Sequence, residues 1–108
     1  MSIDQEKVID ARVLDKDSNE VILFIFDHYS WDDPKSNHPF LLQDKINTYL
    51  AYIESEEIYK NDPEYKEKQV VIKVIGKYPL SEFGEKFYEK AKTKIQWAGF
   101  DLRFEHKP

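Results

Sequence analysis

The feature that most constrains the fold is a continuous apolar run, VILFIF, at residues 21–26. Such a run predicts a central β-strand that is covered on both faces, or on one face with a partner on the other. Residues 8–14 read as a strand before it, and residues 15–20 are rich in side chains that hydrogen-bond their own backbone in turns. Together these segments predict an antiparallel β-hairpin.

Two amphipathic helices are predicted downstream of the hairpin. The first spans residues 40–54, with Pro39 at its first position and Asn37 or His38 as its N-cap. Its apolar face consists of residues at spacings of three and four: Leu42, Ile46, Tyr49, Leu50 and Ile53. The second helix begins after the N-cap Ser81 and ends at Gly99. Its predicted buried face comprises Phe83, Phe87, Ala91, Ile95 and Ala98.

The remaining segments complete a single α+β domain over residues 1–108. Residues 69–78 and 100–105 are predicted strands, residues 55–68 a charged loop, and residues 1–7 a disordered N-terminus. The order of elements is therefore β-β-α-β-α-β. Because crossovers between parallel strands are right-handed, the last three strands should be mutually parallel. The sequence thus predicts a two-layer sandwich, in which two helices pack on one face of a mixed four-stranded sheet.

Composition narrows the possible classes of function. The chain contains no cysteine, which excludes disulfides, thiolate nucleophiles and cysteine-based zinc sites. The net charge of −5 argues against nucleic-acid binding, which requires a basic face. No apolar run approaches the length of a membrane span, and the first residues lack the apolar core of a secretory signal. We therefore expect a cytoplasmic protein with no nucleic-acid partner, no membrane partner and no cofactor.

The excess negative charge lies in the first half of the chain. Residues 1–54 carry 11 acidic and 5 basic side chains, whereas residues 55–108 carry 10 and 11. A basic protein partner or a cation is the natural counterpart of an acidic surface, and solubility alone is the alternative explanation. In the second half, charges of both signs interleave on the second helix and predict a solvated face with ordinary ion pairs: Glu82, Glu85 and Glu89 with Lys86, Lys90, Lys92 and Lys94.

The candidate functional surface is the acidic, aromatic loop between the apolar strand and the first helix. We predict a binding surface made of this loop and the adjoining helix: Asp27, His28, Tyr29, Trp31, Asp32, Asp33, His38, Gln43 and Asn47. In this interpretation Trp31 is an exposed anchor for a partner. In the alternative it is a lid that closes the edge of the core. Gln43 and Asn47 share a helix face and would support the loop.

The same loop contains the residue types of a metal or catalytic site. Such a site would use Asp27, His28, Asp32 and His38, and it requires three or more of them to converge. No ligand spacing such as His-Glu-x-x-His is present. The plainer explanation is that these side chains cap the strand, the turn at Pro34 and the helix. We predict no catalytic residue and no bound metal.

The stretch from Val21 to Tyr52 resembles a family of short bacterial proteins of unknown function. The shared pattern is an apolar strand that ends in Asp27-His28, followed by Trp31, by His38 before the helix, and by the run Leu42-Gln43-x-Lys45-x-Asn47-x-Tyr49. The sequence YLAYIES at residues 49–55 is similar to the end of the helix in that family. The resemblance covers about half of the chain. It implies a bacterial, cytoplasmic protein and no particular activity.

Three hypotheses follow for the function. The first is a non-catalytic protein-interaction or regulatory domain with an acidic-aromatic loop, one form of which is an immunity protein that blocks a basic toxin. The alternative is a metal-dependent or small-molecule-binding enzyme that uses Asp27, His28, Asp32 and His38. A homodimer is compatible with either, because residues 8–14 are a predicted edge strand that could pair with a second copy.

Overall fold

The computed structural model describes residues 9–31 and 37–108. The predicted N-terminal disorder at residues 1–7 and the predicted binding residues Asp32 and Asp33 lie outside these ranges. The elements follow one another as β1 (Ala11–Asp15), β2 (Glu20–Asp27), α1 (His38–Glu54), α2 (Glu57–Asn61), a 3₁₀ turn (Pro63–Tyr65), β3 (Gln69–Gly76), α3 (Glu82–Trp97) and β4 (Asp101–His106). The α+β class predicted from the sequence is confirmed.

The four strands form one mixed sheet in the order β1-β2-β3-β4. β1 pairs antiparallel with β2, while β2, β3 and β4 are mutually parallel, as the right-handed crossover rule predicts. β1 is therefore an edge strand within the described sheet, and its pairing with a second copy stays a prediction.

The helices cover one face of this sheet. Val21, Leu23 and Ile25 point to that face of β2 and are fully buried, in register with alternate residues of β3. They belong to one core cluster with residues from α1, α2 and α3. On the opposite face, Val13 and Phe26 are 48% and 38% exposed. The apolar run at residues 21–26 is thus buried on alternate residues only, because helices cover one face of β2 and no described helix covers the other.

The charged segment 55–68 is not simply a loop, because it contains α2 and the 3₁₀ turn. Two apolar side chains explain this difference. Ile58 on α2 and Tyr65 in the 3₁₀ turn are both buried in the core. Burying a large apolar side chain stabilises the fold by about 1.5–3 kcal/mol, which is enough to hold a short helix that would be unstable alone.

The ends of the long helices follow their sequence signals. Ser81 Oγ accepts a hydrogen bond from the Gly84 N–H at 3.1 Å, so Ser81 is the N-cap of α3. Beyond the other end of α3, Gly99 adopts a φ of 96°, which favours glycine. At the start of α1, Asn37 is the N-cap position, but its side chain makes no capping hydrogen bond. His38 is the first residue of α1 and is buried rather than acting as a cap.

The buried face of α3 differs from its predicted face. Gly84, Tyr88 and Ile95 are its buried residues, whereas Phe83 is 58% exposed and Ala98 is exposed. Tyr88 is not part of the predicted buried face, but it is buried and packs on Phe104 of β4 with ring centroids 5.3 Å apart. The helix is therefore rotated relative to the prediction, and part of its apolar stripe faces away from the sheet.

Candidate functional site

The predicted loop surface is organised around a buried pair, Asp27 and His38. Asp27 is the last residue of β2 and His38 is the first residue of α1, and both side chains are 1% exposed. His38 Nε2 lies 2.5 Å from Asp27 Oδ2, and the other carboxylate oxygen accepts the Tyr29 N–H at 3.1 Å. The two atoms are close enough to share one hydrogen in a hydrogen bond. The pair links the end of β2 to the start of α1.

Two buried polar atoms near this pair have no hydrogen-bond partner among the described residues. They are His38 Nδ1 and the hydroxyl of Tyr88. Burial raises the pKa of Tyr88 well above its usual range, and the charge of Asp27 raises it further. Tyr88 is therefore a neutral phenol at physiological pH and an unused donor in the interior of the protein.

Trp31 packs over this pair instead of projecting from the surface. Its ring centroid lies 4.0 Å from that of His38, 5.6 Å from Phe87 and 6.2 Å from Tyr88. A Cβ atom at Gly84 would lie only 3.0 Å from the indole, so the glycine leaves room for it on α3. These contacts match the interpretation of Trp31 as a lid on the edge of the core.

The structure brings together only part of the predicted surface. Asp27, Trp31 and His38 form one cluster, and Tyr29 is half-buried at its side, with its ring centroid 5.8 Å from that of His38. His28 is exposed and its ring lies 4.3 Å from that of Tyr29. Gln43 and Asn47 lie elsewhere and do not support the loop through any hydrogen bond among the described residues. Within residues 9–31 and 37–108, no three potential metal ligands converge.

A second buried polar cluster was missed by the sequence reasoning. Lys45 Nζ lies 2.7 Å from Asp10 Oδ1, and both side chains are fully buried. The other oxygen of Asp10 accepts the Phe26 N–H at 3.0 Å. The hydroxyl of Tyr49 accepts the Asp10 N–H at 2.8 Å and donates to the Phe24 carbonyl. Burial raises the pKa of Tyr49 beyond its usual range, so its hydroxyl keeps the proton that it donates.

One surface feature with room for a ligand is a groove between α1 and α3, which we call the interhelical groove. Its volume is about 300 Å³. Its floor is apolar and consists of Ile46, Leu50, Phe87, Ala91 and Ile95. Gln43 and Asn47 stand on the α1 wall, and Lys90 and Lys94 stand on the α3 wall. Gln43 and Asn47, two of the predicted binding residues, therefore line a groove that lies on the helical layer and not in the loop.

Exposed aromatic side chains lie one helical turn beyond the lining of this groove, on the same two helices. Phe40 on α1 is 69% exposed, and Trp97 at the end of α3 is 92% exposed. Phe83, Phe87, Lys90, Lys94 and Trp97 follow one another on α3 at spacings of four, three, four and three residues. Residues spaced in this way share one side of a helix. The signal was present in the sequence, but Phe83 and Phe87 read as core and the lysines as solvated.

Neither Lys90 nor Lys94 forms an ion pair with the described part of the chain. The predicted ion pairing on α3 is present between Lys86 and Glu82, at 3.6 Å. An uncompensated pair of lysines beside an apolar floor gives the groove a positive rim in a chain whose net charge is −5.

Among the described helices, none has both the length and the apolar character needed to cross a bilayer. The fold and its surfaces define a small two-layer α+β domain with a buried Asp-His pair and an open groove on its helical layer. The chain belongs to the family of unknown function DUF6572, which it matches over residues 1–108. This confirms the resemblance to an uncharacterised family. No curated protein and no solved structure matches the chain.

Proposed function

We propose that the protein is a non-catalytic interaction or regulatory domain that binds another protein through the interhelical groove. The observation that supports this function is the groove itself, an apolar floor between two helices that also carry exposed aromatic side chains one turn beyond it. Large aromatic residues are enriched at the energetic centres of protein interfaces, because they bury a large rigid area at a small cost in conformational entropy. Trp97, at 92% exposed, is the largest apolar side chain left in solvent by the described fold.

The proposed binding surface lies on the helical layer and not on the loop that the sequence predicted. Asp27 and His38 are paired in the interior, and Trp31 is held by ring contacts on several sides. Asp32 and Asp33, on which a basic partner would depend, lie outside the described residues, so that partner stays a prediction. A cytoplasmic immunity-like role, in which the domain covers a toxin surface, is one specific form of the proposal.

Affinity capture with matched variants tests this function. The bait would be the wild type, a groove variant Phe83→Ser/Trp97→Ser, and a control Val13→Ser/Phe26→Ser that removes exposed apolar side chains from the uncovered face of the sheet. We expect a partner from the lysate of the source organism to be retained by the wild type and the control and lost from the groove variant. The captured protein would then be purified and its binding to all three measured. Equal retention by all three, or by none, would contradict the proposal.

A small-molecule or metal site at Asp27 and His38 is a second candidate. Two observations favour it: the pair lies at the carboxyl ends of the parallel strands, where open α/β sheets bind ligands, and His38 Nδ1 is buried without a partner among the described residues. A ligand here would have to displace Trp31. Thermal unfolding with Zn²⁺, Mn²⁺, Mg²⁺ or Ca²⁺ tests the metal version, because a ligand bound only by the native state raises Tm. An unchanged Tm with all four ions would remove it.

A further inference from the structure

We propose that the occupant of the interhelical groove is an amphipathic helix of a partner protein, with acidic side chains placed opposite Lys90 and Lys94. This inference rests on the proposed function and adds the conformation and charge of the partner. It is carried by three properties of the groove: the repeat of the residues along its walls, the charge of its rim and its length.

The repeat on both walls is that of a helix-packing seam. On α3, Phe83, Phe87, Lys90, Lys94 and Trp97 are separated by four, three, four and three residues. On α1, Phe40, Gln43, Asn47 and Leu50 are separated by three, four and three. A stripe with this spacing is what a neighbouring helix needs for side-by-side packing at a small crossing angle. Leu50 and Phe87 pack partly against the core, whereas the other side chains of the two stripes are exposed and remain available to a third helix.

The positive charge of the rim favours a partner with acidic side chains. Lys90 and Lys94 are one helical turn apart, both exposed and both without an ion-pair partner among the described residues. Glu or Asp residues one turn apart on a docked helix would face both lysines at once. The opposite wall carries the amides of Gln43 and Asn47, which can donate to or accept from the same helix.

A second copy of this chain does not fit the groove equally well. In a two-fold dimer the same surface meets itself, so Lys90 and Lys94 of both copies would gather near the axis. The described residues that line the groove include no carboxylate to neutralise them. Like charges brought together in this way oppose association, whereas an acidic helix would neutralise the charges of the two lysines.

The length of the groove matches a short helix. Its lining extends from Gln43 to Leu50 on α1 and from Phe87 to Ile95 on α3. These segments correspond to roughly 11–12 Å of helix axis at about 1.5 Å per residue. Side chains at i, i+3 or i+4, and i+7 of a docked helix cover this distance, which is the usual set of anchors when a helix binds in a groove.

Peptide display on the intact protein tests the inference. The probe is a library of peptides of about 16 residues with apolar positions fixed at i, i+3, i+4 and i+7 and all other positions varied. After selection on the wild type, Kd is measured for the enriched peptides on four proteins: the wild type, Lys90→Glu/Lys94→Glu, the control Lys60→Glu/Lys66→Glu on exposed positions outside the groove, and Phe83→Ser/Trp97→Ser. Circular dichroism and thermal unfolding verify that all four are equally folded.

The expected result is enrichment of Asp or Glu at two positions one turn apart. Reversing Lys90 and Lys94 should then weaken binding by about tenfold or more, while the control changes Kd by about twofold or less. Binding that is lost on Phe83→Ser/Trp97→Ser but unchanged by reversal of the two lysines would overturn the acidic helix and leave the groove as an interface. Binding that neither groove variant changes would contradict both proposals. A library that enriches no peptide would overturn the helical partner.

Discussion

Lys45 and Asp10 form an ion pair 2.7 Å apart in the interior of the protein, with both side chains fully buried. Lys45 comes from the middle of α1, and Asp10 immediately precedes β1. The Asp10 carboxylate also accepts the Phe26 N–H, so the pair links the helix to two strands. A buried charge is costly when it is alone, which makes this contact sensitive to the loss of either partner.

Replacing Lys45 by methionine should destabilise the protein by about 3–5 kcal/mol, because the Asp10 carboxylate is then left buried and unpaired. The free energy of unfolding in urea measures this effect. The double variant Asp10→Asn/Lys45→Met should recover much of the loss, since an asparagine side chain is neutral and can still accept the Phe26 N–H. Equal stability of Lys45→Met and the double variant would show that the charge of Asp10 is not the cause.

Changing Gly84 to alanine should destabilise the protein although it lies in a helix. In an open helix this change is worth up to about 1 kcal/mol of stabilisation. Here the new methyl group would lie 3.0 Å from the indole of Trp31, which His38 and Tyr88 hold in place. We expect a net loss of about 1–3 kcal/mol from overpacking. In a Trp31→Leu background the same change should be neutral or stabilising, and a gain of stability in the wild type would contradict the assigned packing.

Arg103 should contribute to stability at neutral pH and not in acid. Arg103 donates hydrogen bonds to the two carboxylate oxygens of Glu20, at 3.0 Å and 2.7 Å. These hydrogen bonds lower the pKa of the Glu20 carboxyl. Burial raises the pKa of Asp101, but hydrogen bonds from Gln96, Arg103 and the Leu102 N–H outweigh it, so the net shift is downward. A carboxyl whose folded pKa is lowered stabilises the protein above its ordinary pKa, and this stabilisation is lost as the pH falls through the folded value.

The variant Arg103→Gln should therefore have a lower Tm than the wild type at pH 7. The difference should shrink as the pH falls below about 4, because both carboxyls become protonated and lose their attraction to the arginine. Thermal unfolding from pH 2 to pH 7 measures this. Because the Arg103 and Glu20 side chains are only partly exposed, moderate salt should reduce the difference without abolishing it. A difference that does not depend on pH would assign the effect to packing of the arginine stem.

Replacing Trp97 by serine should leave the fold intact. The side chain is 92% exposed, so its removal should change the free energy of unfolding by no more than about 0.5 kcal/mol. Val70→Ser serves as a contrast. It removes a buried apolar side chain from β3 and should be clearly destabilising. A large loss of stability in the Trp97 variant would mean that the tryptophan has a structural contact, and it would remove the main reason to propose binding at the groove.

The elements of the fold could be predicted because they depend on local patterns. The apolar run at residues 21–26, the apolar repeat of α1 and the cap at Ser81 each set an element within a short stretch of chain, and the crossover rule then fixes the directions of the strands. The prediction of a loop at residues 55–68 was wrong, because the short helix in this segment depends on Ile58 packing into a core that is formed by residues distant in the sequence.

The site could be predicted only as far as its residue types. Asp27, His28, Trp31 and His38 are close in sequence, and the structure brings three of them together, but as a buried cluster. The pairing of Asp10 with Lys45 joins residues 35 positions apart, and no local pattern marks it. The interhelical groove likewise needs the rotation of α3, which Tyr88 and Gly84 set through their contacts with Phe104 and Trp31.

By itself the sequence determined the four strands and the two long helices, their order and the chemistry excluded by the absence of cysteine, because periodicity and composition act locally or on the whole chain. Only the tertiary structure decided which polar side chains are buried and which apolar ones face solvent. That choice depends on packing between residues far apart in the chain, where the cost of an unpaired buried charge is offset only when its partner reaches it.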